Sequence, residues 1–143
     1  MKRTLLTLSL ITICLLSDQG LALSSEIPAQ TVALEAANQS SFGQYLVASV
    51  IVNRAKERGQ TLDQVCLARK QFSAWNDPRW AKAWLARHYT QTTRHRARNA
   101  LERAIREPFK EIDHYHTVNI MPYWAKGHKP IIVEGNHAFY NLN

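Results

Sequence analysis

Glu35 stands in the run Val32-Ala33-Leu34-Glu35-Ala36-Ala37-Asn38 as the only carboxylate between Glu26 and Glu57, in a stretch otherwise uncharged up to Arg54. A carboxyl group among small apolar side chains loses hydration, and desolvation disfavours its charged form. That keeps a proton on the group near neutral pH, which is what a general acid needs. The competing reading is a solvent-facing glutamate that supports its own helix. A second set of reactive residue types lies toward the C-terminus: Asp113-His114-Tyr115-His116, Pro122-Tyr123-Trp124-Ala125 and Asn136-His137-Ala138-Phe139-Tyr140. On a strand, His114 and His116 project to one face, a spacing zinc accepts, and His137 offers a third ligand. The same segments are dense in aromatic rings with polar tips. Such surfaces stack on sugar C–H faces and hydrogen-bond the hydroxyls. A sugar cleft, a zinc site and plain packing are all compatible with the cluster. The aromatic density favours the cleft, since no His-x-x-x-His or Cys pair accompanies the histidines.

Glycosidases usually work with two carboxylates at a fixed separation. Asp77, before Pro78, reads as a helix cap, and Asp113 is a candidate partner for Glu35. One carboxylate suffices where the sugar supplies its own nucleophile, as when a muramic acid 6-hydroxyl closes on its anomeric carbon. The same glutamate then acts first as acid and next as base. Cys66, between Val65 and Leu67, reads as a buried structural thiol rather than a nucleophile.

The elements that must position these groups are legible from periodicity and caps. A short helix over about 30–38 carries Glu35 on its last turn. Ser41 and Gln44 form a capping-box pattern, and Leu46, Val47, Val50 and Ile51 then mark one buried helix face ending at Gly59. Thr61 and Gln64 repeat the box for a brief helix to Ala68, and 71–76 reads as a loop. Asp77-Pro78 starts a helix with Trp80, Ala83, Trp84 and Arg87 along one face. A helix over about 92–107 buries Ala97, Ala100, Leu101, Ala104 and Ile105 before Pro108. Segments 113–120 and 131–140, with aromatic and β-branched residues punctuated by Gly and Pro, read as strands. The expected fold class is α+β, mostly helical with a small C-terminal sheet.

Lys2 and Arg3 precede an apolar run from Leu5 to Leu16, and Ala22-Leu23-Ser24 has the small residues of a cleavage site. Residues 1–24 are therefore expected to be a signal peptide and 25–143 a single exported domain, acting in the periplasm, cell wall or medium. The chain carries a formal charge of +7; with Lys2, Arg3 and Asp18 in the leader, residues 25–143 retain +6. That excess favours anionic partners, and export makes nucleic acid the least suitable. Arg94, His95, Arg96, Arg98, Arg103 and Arg106 spread around their helix, as a solvated face or as an attraction for a polyanionic wall. Cys14 leaves with the leader, so Cys66 has no disulfide partner.

Taken in order, Glu35-Ala36, Gly43-Gln44, Val50-Ile51-Val52-Asn53-Arg54, Gln71-Phe72-Ser73, His114-Tyr115-His116, Pro122, Trp124-Ala125 and 135–140 resemble the cell-wall hydrolases of the spore-cortex-lytic (SleB) type. The resemblance covers about 31–141. It implies a lysozyme-like α+β fold that cleaves peptidoglycan glycan strands, as a lytic transglycosylase or muramidase needing no cofactor or metal. It puts the catalytic glutamate at Glu35 and substrate-binding positions at Gln71, Phe72, Ser73, Tyr115, His116, Trp124, His137 and Tyr140. Asn53 and Arg54 are expected to brace the core. The family commonly continues Arg-Gly-Glu after Glu-Ala; here Ala37-Asn38-Gln39 stands instead, so that second acid is missing. The partner is peptidoglycan, with no nucleic acid, no stable membrane span and a monomeric chain expected. The rival classes are a zinc-dependent amidase or peptidase on His114, His116 and His137, and a non-catalytic wall-binding domain.

Overall fold

The computed structural model describes residues 21–143. The expected leader therefore lies outside the described residues as far as residue 20. Its last apolar side chains, Leu21 and Leu23, pack against the domain core. Among the described residues no helix is long and apolar enough to cross a membrane.

Among the described residues five α-helices precede a three-stranded sheet: α1 Ile27–Ala36, α2 Ser41–Arg58, α3 Leu62–Leu67, α4 Pro78–His88 and α5 Gln91–Arg106, then β1 His114–Thr117, β2 Ile132–Glu134 and β3 His137–Tyr140. The α+β, mostly helical architecture expected from the pattern is the one observed. Helix α1 begins three residues earlier than its periodicity suggests, because Pro28 is pre-set for a first helical turn. Ala29, Val32, Ala33 and Ala36 are buried, so small side chains let α2, α3 and α5 approach it closely.

Helix α2 departs from the expected single buried face: every residue from Gly43 to Val52 is buried. Helices α1, α3 and α5 and strand β1 pack around it, which no one-dimensional pattern reveals. Its N-cap is Ser40, not Ser41; Ser40 Oγ accepts from Gly43 N at 3.0 Å. Ser40 Oγ also donates to Glu134 Oε1 at 2.6 Å, and this contact from a residue 94 positions away selects it over Ser41. Gln44, expected to close a capping box, is instead buried, with Nε2 3.5 Å from Ala37 O. Gly59 at φ 60° and the Thr61–Gln64 box are as expected.

The arginines of α5 are largely occupied within the fold. Arg94 and Arg98 reach Glu26 Oε1 at 2.7 and 2.6 Å, and these guanidiniums hold the Glu26 carboxyl down at about 2. Arg96 donates to Gln39 O at 2.9 Å, and the Arg103 guanidinium lies 3.9 Å from the centre of the Tyr45 ring. These contacts clamp α5 to the start of α1, to the turn after it and to α2. The apolar stripe Ala97, Ala100, Leu101 and Ala104 is buried as expected, while Ile105 is half-buried.

In the sheet, β3 lies between β1 and β2, antiparallel to both. The segment 131–140, read as extended and punctuated by Gly135, is a hairpin that turns at Gly135-Asn136 between paired Glu134 and His137. Gly135 has φ 55°, and a Cβ there would run into Gln39 Oε1, which accepts from Asn136 N at 3.0 Å. Gln39 and Ser40, at the end of the Ala37-Asn38-Gln39-Ser40 turn, thus clasp the tip of this hairpin. Directly paired residues share a face. Tyr115, Thr117, His137 and Phe139 therefore face one side, and His114, His116, Ala138 and Tyr140 the other.

Candidate active site

Glu35 sits in the last turn of α1, where the unpaired carbonyl end of the helix dipole disfavours a negative charge. The 3-10 turn Ser73–Asn76 closes over it, pinned by Trp75 Nε1 donating to Thr31 Oγ1 at 2.9 Å. Thr31 lies one turn before Glu35, so this bond brings Ala74 N to 3.4 Å from Glu35 Oε1. From the sheet, the Tyr115 hydroxyl donates to Glu35 Oε2 at 2.9 Å. Burial pushes the Glu35 pKa up, and this outweighs the lowering by the Tyr115 hydroxyl, the Ala74 N–H and the Arg54 charge. Oε2 takes the short bond from Tyr115 and Oε1 only the long one from Ala74 N, so Oε1 is the oxygen better placed to carry and release a proton.

Tyr115 is fixed by its ring neighbours, His137 at 5.1 Å edge-on and Phe139 at 5.5 Å. Burial and the adjacent Glu35 raise its own pKa well above the ordinary phenol value, so it remains a donor. Arg54 and Asn53 brace the site, as expected. Arg54 Nε donates to Asp113 O at 2.8 Å, and Asn53 Nδ2 to Phe109 O and Ile112 O at 2.8 and 2.7 Å. These bonds anchor the segment that leads into β1, and hence Tyr115, to α2.

A cavity of about 400 Å³ opens in front of Glu35, lined by Leu34, Ser73, Ala74, Asp77, Trp80, Thr117 and His137. Of the substrate-binding positions expected from sequence, Ser73 and His137 line this cleft and Tyr115 bonds Glu35. His137 is kept neutral by burial, and its Nδ1 has no hydrogen-bond partner among the described residues. Phe72 is buried beneath the Arg54 guanidinium, 5.6 Å away, and Gln71 Oε1 accepts from Arg58 Nη1 at 3.0 Å. Neither lines the cleft.

His116, Trp124 and Tyr140 lie across the sheet from Glu35. His116 and Tyr140 rings stack at 5.3 Å, Trp124 meets both edge-on, and Tyr140 and Ala138 with Ala125 form a small second core. His116 Nδ1 donates to Thr117 O at 2.8 Å, so the Tyr140 hydroxyl donates to Nε2 at 2.9 Å. The histidine triple considered for zinc is split by the sheet, with His137 facing Glu35 and His114 and His116 facing away. Among the described residues no three His, Cys, Asp or Glu side chains converge as a metal-binding group. Asp113 does not share the Glu35 cleft either. It accepts from His114 Nδ1 and Leu142 N, both at 2.9 Å, and lines a separate cavity of about 460 Å³. Cys66 is buried, its thiol pushed up to about 12 by burial, in keeping with a structural role.

Trp80, Asp77 and Thr117 are cleft residues that pattern reading did not place there. Trp80 was expected along one helix face with Ala83, Trp84 and Arg87. The residue of α4 that is buried is Ala81, and Trp80 is 48% exposed at the cleft rim. The available signal was an aromatic residue in the first turn after a cap, out of phase with the buried position.

Replacing Tyr115 with Phe removes the donor that favours the Glu35 carboxylate, so the Glu35 pKa rises further. The protonated acid then persists to higher pH, and the alkaline limb of the rate profile is expected to move upward in Tyr115→Phe. An unmoved limb would mean that Tyr115 does not set the acid.

Fold and site together define an α+β domain whose sheet and first helix enclose a desolvated glutamate in an open cleft. Residues 38–140 match the family model described as Cell Wall Hydrolase, and the chain belongs to that family, the SleB type. The match begins three residues after Glu35, so that residue's role rests on geometry. No curated protein and no solved structure matches the chain significantly.

Proposed function

We propose that this cell wall hydrolase is exported and cleaves peptidoglycan glycan strands as a lytic transglycosylase, using Glu35 as acid and then base. The observation that carries the reading is a desolvated carboxyl group that lines a sugar-sized cleft. Glu35 gives its proton to the glycosidic oxygen as the bond to the muramic anomeric carbon breaks. The 6-hydroxyl of the same sugar then bonds that carbon, and its proton passes to Glu35, restoring the acid. No water is consumed, and the product is a 1,6-anhydro end. Trp80 at the rim offers the face on which a neighbouring pyranose stacks.

Mass spectrometry of soluble products from purified sacculi tests this directly. Anhydro-muramic ends support transglycosylation, whereas reducing ends mean hydrolysis by water. Free peptides would point to an amidase or peptidase, and sedimentation with sacculi without release to a binding domain. Either result would end the glycosidase reading. Trp80→Ala is expected to raise KM about tenfold, equivalent to ~1.4 kcal/mol of binding. Its melting temperature should stay near that of the parent, because the ring packs into no core. An unchanged KM would remove Trp80 from the substrate path.

A further inference from the structure

Asp77 lines the same cavity as Glu35, and its carboxylate is held in one orientation. Its Oδ1 accepts from both Arg79 N and Trp80 N at 3.1 Å, as the N-cap of α4. Oδ2 takes no hydrogen bond among the described residues, and no Lys, Arg or His there forms an ion pair with Asp77. A cap needs only one oxygen, and serine, threonine or asparagine performs that task as well as aspartate. The cap accounts for Oδ1 and the helix N-terminus favours a negative charge there, but neither engages Oδ2. Trp80 follows three residues later, on the same side of the first turn of α4, and borders the same cavity. Both carboxyl groups and the Trp80 ring therefore border the one space that a sugar ring would enter.

We propose that Asp77 is a second catalytic carboxylate of this cleft, with Oδ2 directed at the anomeric carbon, where it stabilises the positive charge that develops as the glycosidic bond breaks. This rests on the glycosidase reading of Glu35. The two carboxyl groups sit in different environments. Glu35 is half-buried and bonded to Tyr115 in the last turn of α1, whereas Asp77 is exposed at the start of α4. Of the two, Glu35 is the desolvated group suited to hold a proton. The charge at Asp77 acts without reorganisation, because two backbone N–H groups already orient it. It forms no covalent bond, so the path of protons and electrons through Glu35 and the 6-hydroxyl is unchanged.

The cap and the charge are separable. Asp77→Asn and Asp77→Ser retain a side-chain oxygen for Arg79 N and Trp80 N but lose the charge, whereas Asp77→Ala loses both. Measured on sacculi beside Glu35→Gln, Asp77→Asn and Asp77→Ser are expected to lower kcat about 10- to 100-fold, with KM and melting temperature near those of the parent. Formate added to Asp77→Ala should restore part of the rate by returning an anion to the vacated space. A parental kcat in Asp77→Asn overturns the proposal. So does a loss of kcat confined to Asp77→Ala and matched by its fall in melting temperature, which would mark Asp77 as a cap alone. If Glu35→Gln retains activity, the underlying reading fails instead, and that outcome is visible independently of any Asp77 variant.

Discussion

Replacing Glu35 with Gln is expected to lower turnover on sacculi by at least about 10²- to 10⁴-fold and, at neutral pH, to raise the melting temperature. The loss follows because the amide cannot give up and recover a proton at Oε1. The gain in stability follows from the same burial that makes Glu35 an acid. Its folded pKa lies above the unfolded value. Its favourable contribution is therefore fully present below the unfolded pKa and is lost as pH rises through the folded pKa. At neutral pH the parent bears the cost of a desolvated carboxyl group, and the Gln variant does not. Arg54 and Tyr115 offset part of that cost in the parent, which limits the gain. Below the ordinary carboxylate range, both proteins carry a neutral side chain and their stabilities should converge. Thermal melts of the two proteins across acid and neutral pH, with product release at each pH, check both halves. Intact turnover would end the Glu35 assignment, and a lower melting temperature at neutral pH would show that its charge is not penalised.

The largest loss of stability is expected from Phe139→Ala, about 3–5 kcal/mol, or roughly 10–20 °C in melting temperature. Phe139 is fully buried in the central strand and pairs with Tyr115 on one side and Ile132 on the other. Deleting its ring leaves a void in the main core, which the surrounding side chains relax into only in part. The ring also supports Tyr115, at 5.5 Å, so the hydroxyl that holds Glu35 loses its backing. Activity should therefore fall even well below the new melting temperature, with the alkaline limb of the pH profile moving in the direction expected for Tyr115→Phe. Denaturant titration followed by circular dichroism gives the stability change. A loss below about 1 kcal/mol would mean that the sheet repacks around the gap.

Local rules carried further than tertiary ones in this chain. The helix ends at Gly59, Thr61 and Asp77 follow from turn and cap chemistry that involves only a few adjacent residues, and all were legible. The fold class was legible for the same reason: the apolar period changes from helical to extended after Pro108. Glu35 stood out because its neighbours are uncharged and small, which already implies desolvation. Arg54 and Asn53 were recognised as braces, although the carbonyls they bind lie 56 to 59 residues away.

The sequence by itself determined the helices, the strand-forming segments, one desolvation-prone acid and a strongly basic charge. Only the tertiary structure decided which polar and aromatic groups share a space with that acid. The register of β1 on β3 turns Tyr115 and His137 toward Glu35 and sends His116 and Tyr140 to the opposite face, and a shift of one residue would reverse that. The α1–α2 turn could not reveal that Ser40 rather than Ser41 caps α2, since the deciding carboxylate comes from the β2–β3 hairpin. The arginines of α5 read as a solvated face or as an attraction for polyanions, whereas Glu26, the Gln39 carbonyl and the Tyr45 ring occupy four of them. Asp77 and Trp80 enter the cleft through the docking of α4 beside the last turn of α1. Side-chain period and cap chemistry act over a few residues, whereas a cleft forms between elements far apart in the chain, and their packing alone brings its groups together.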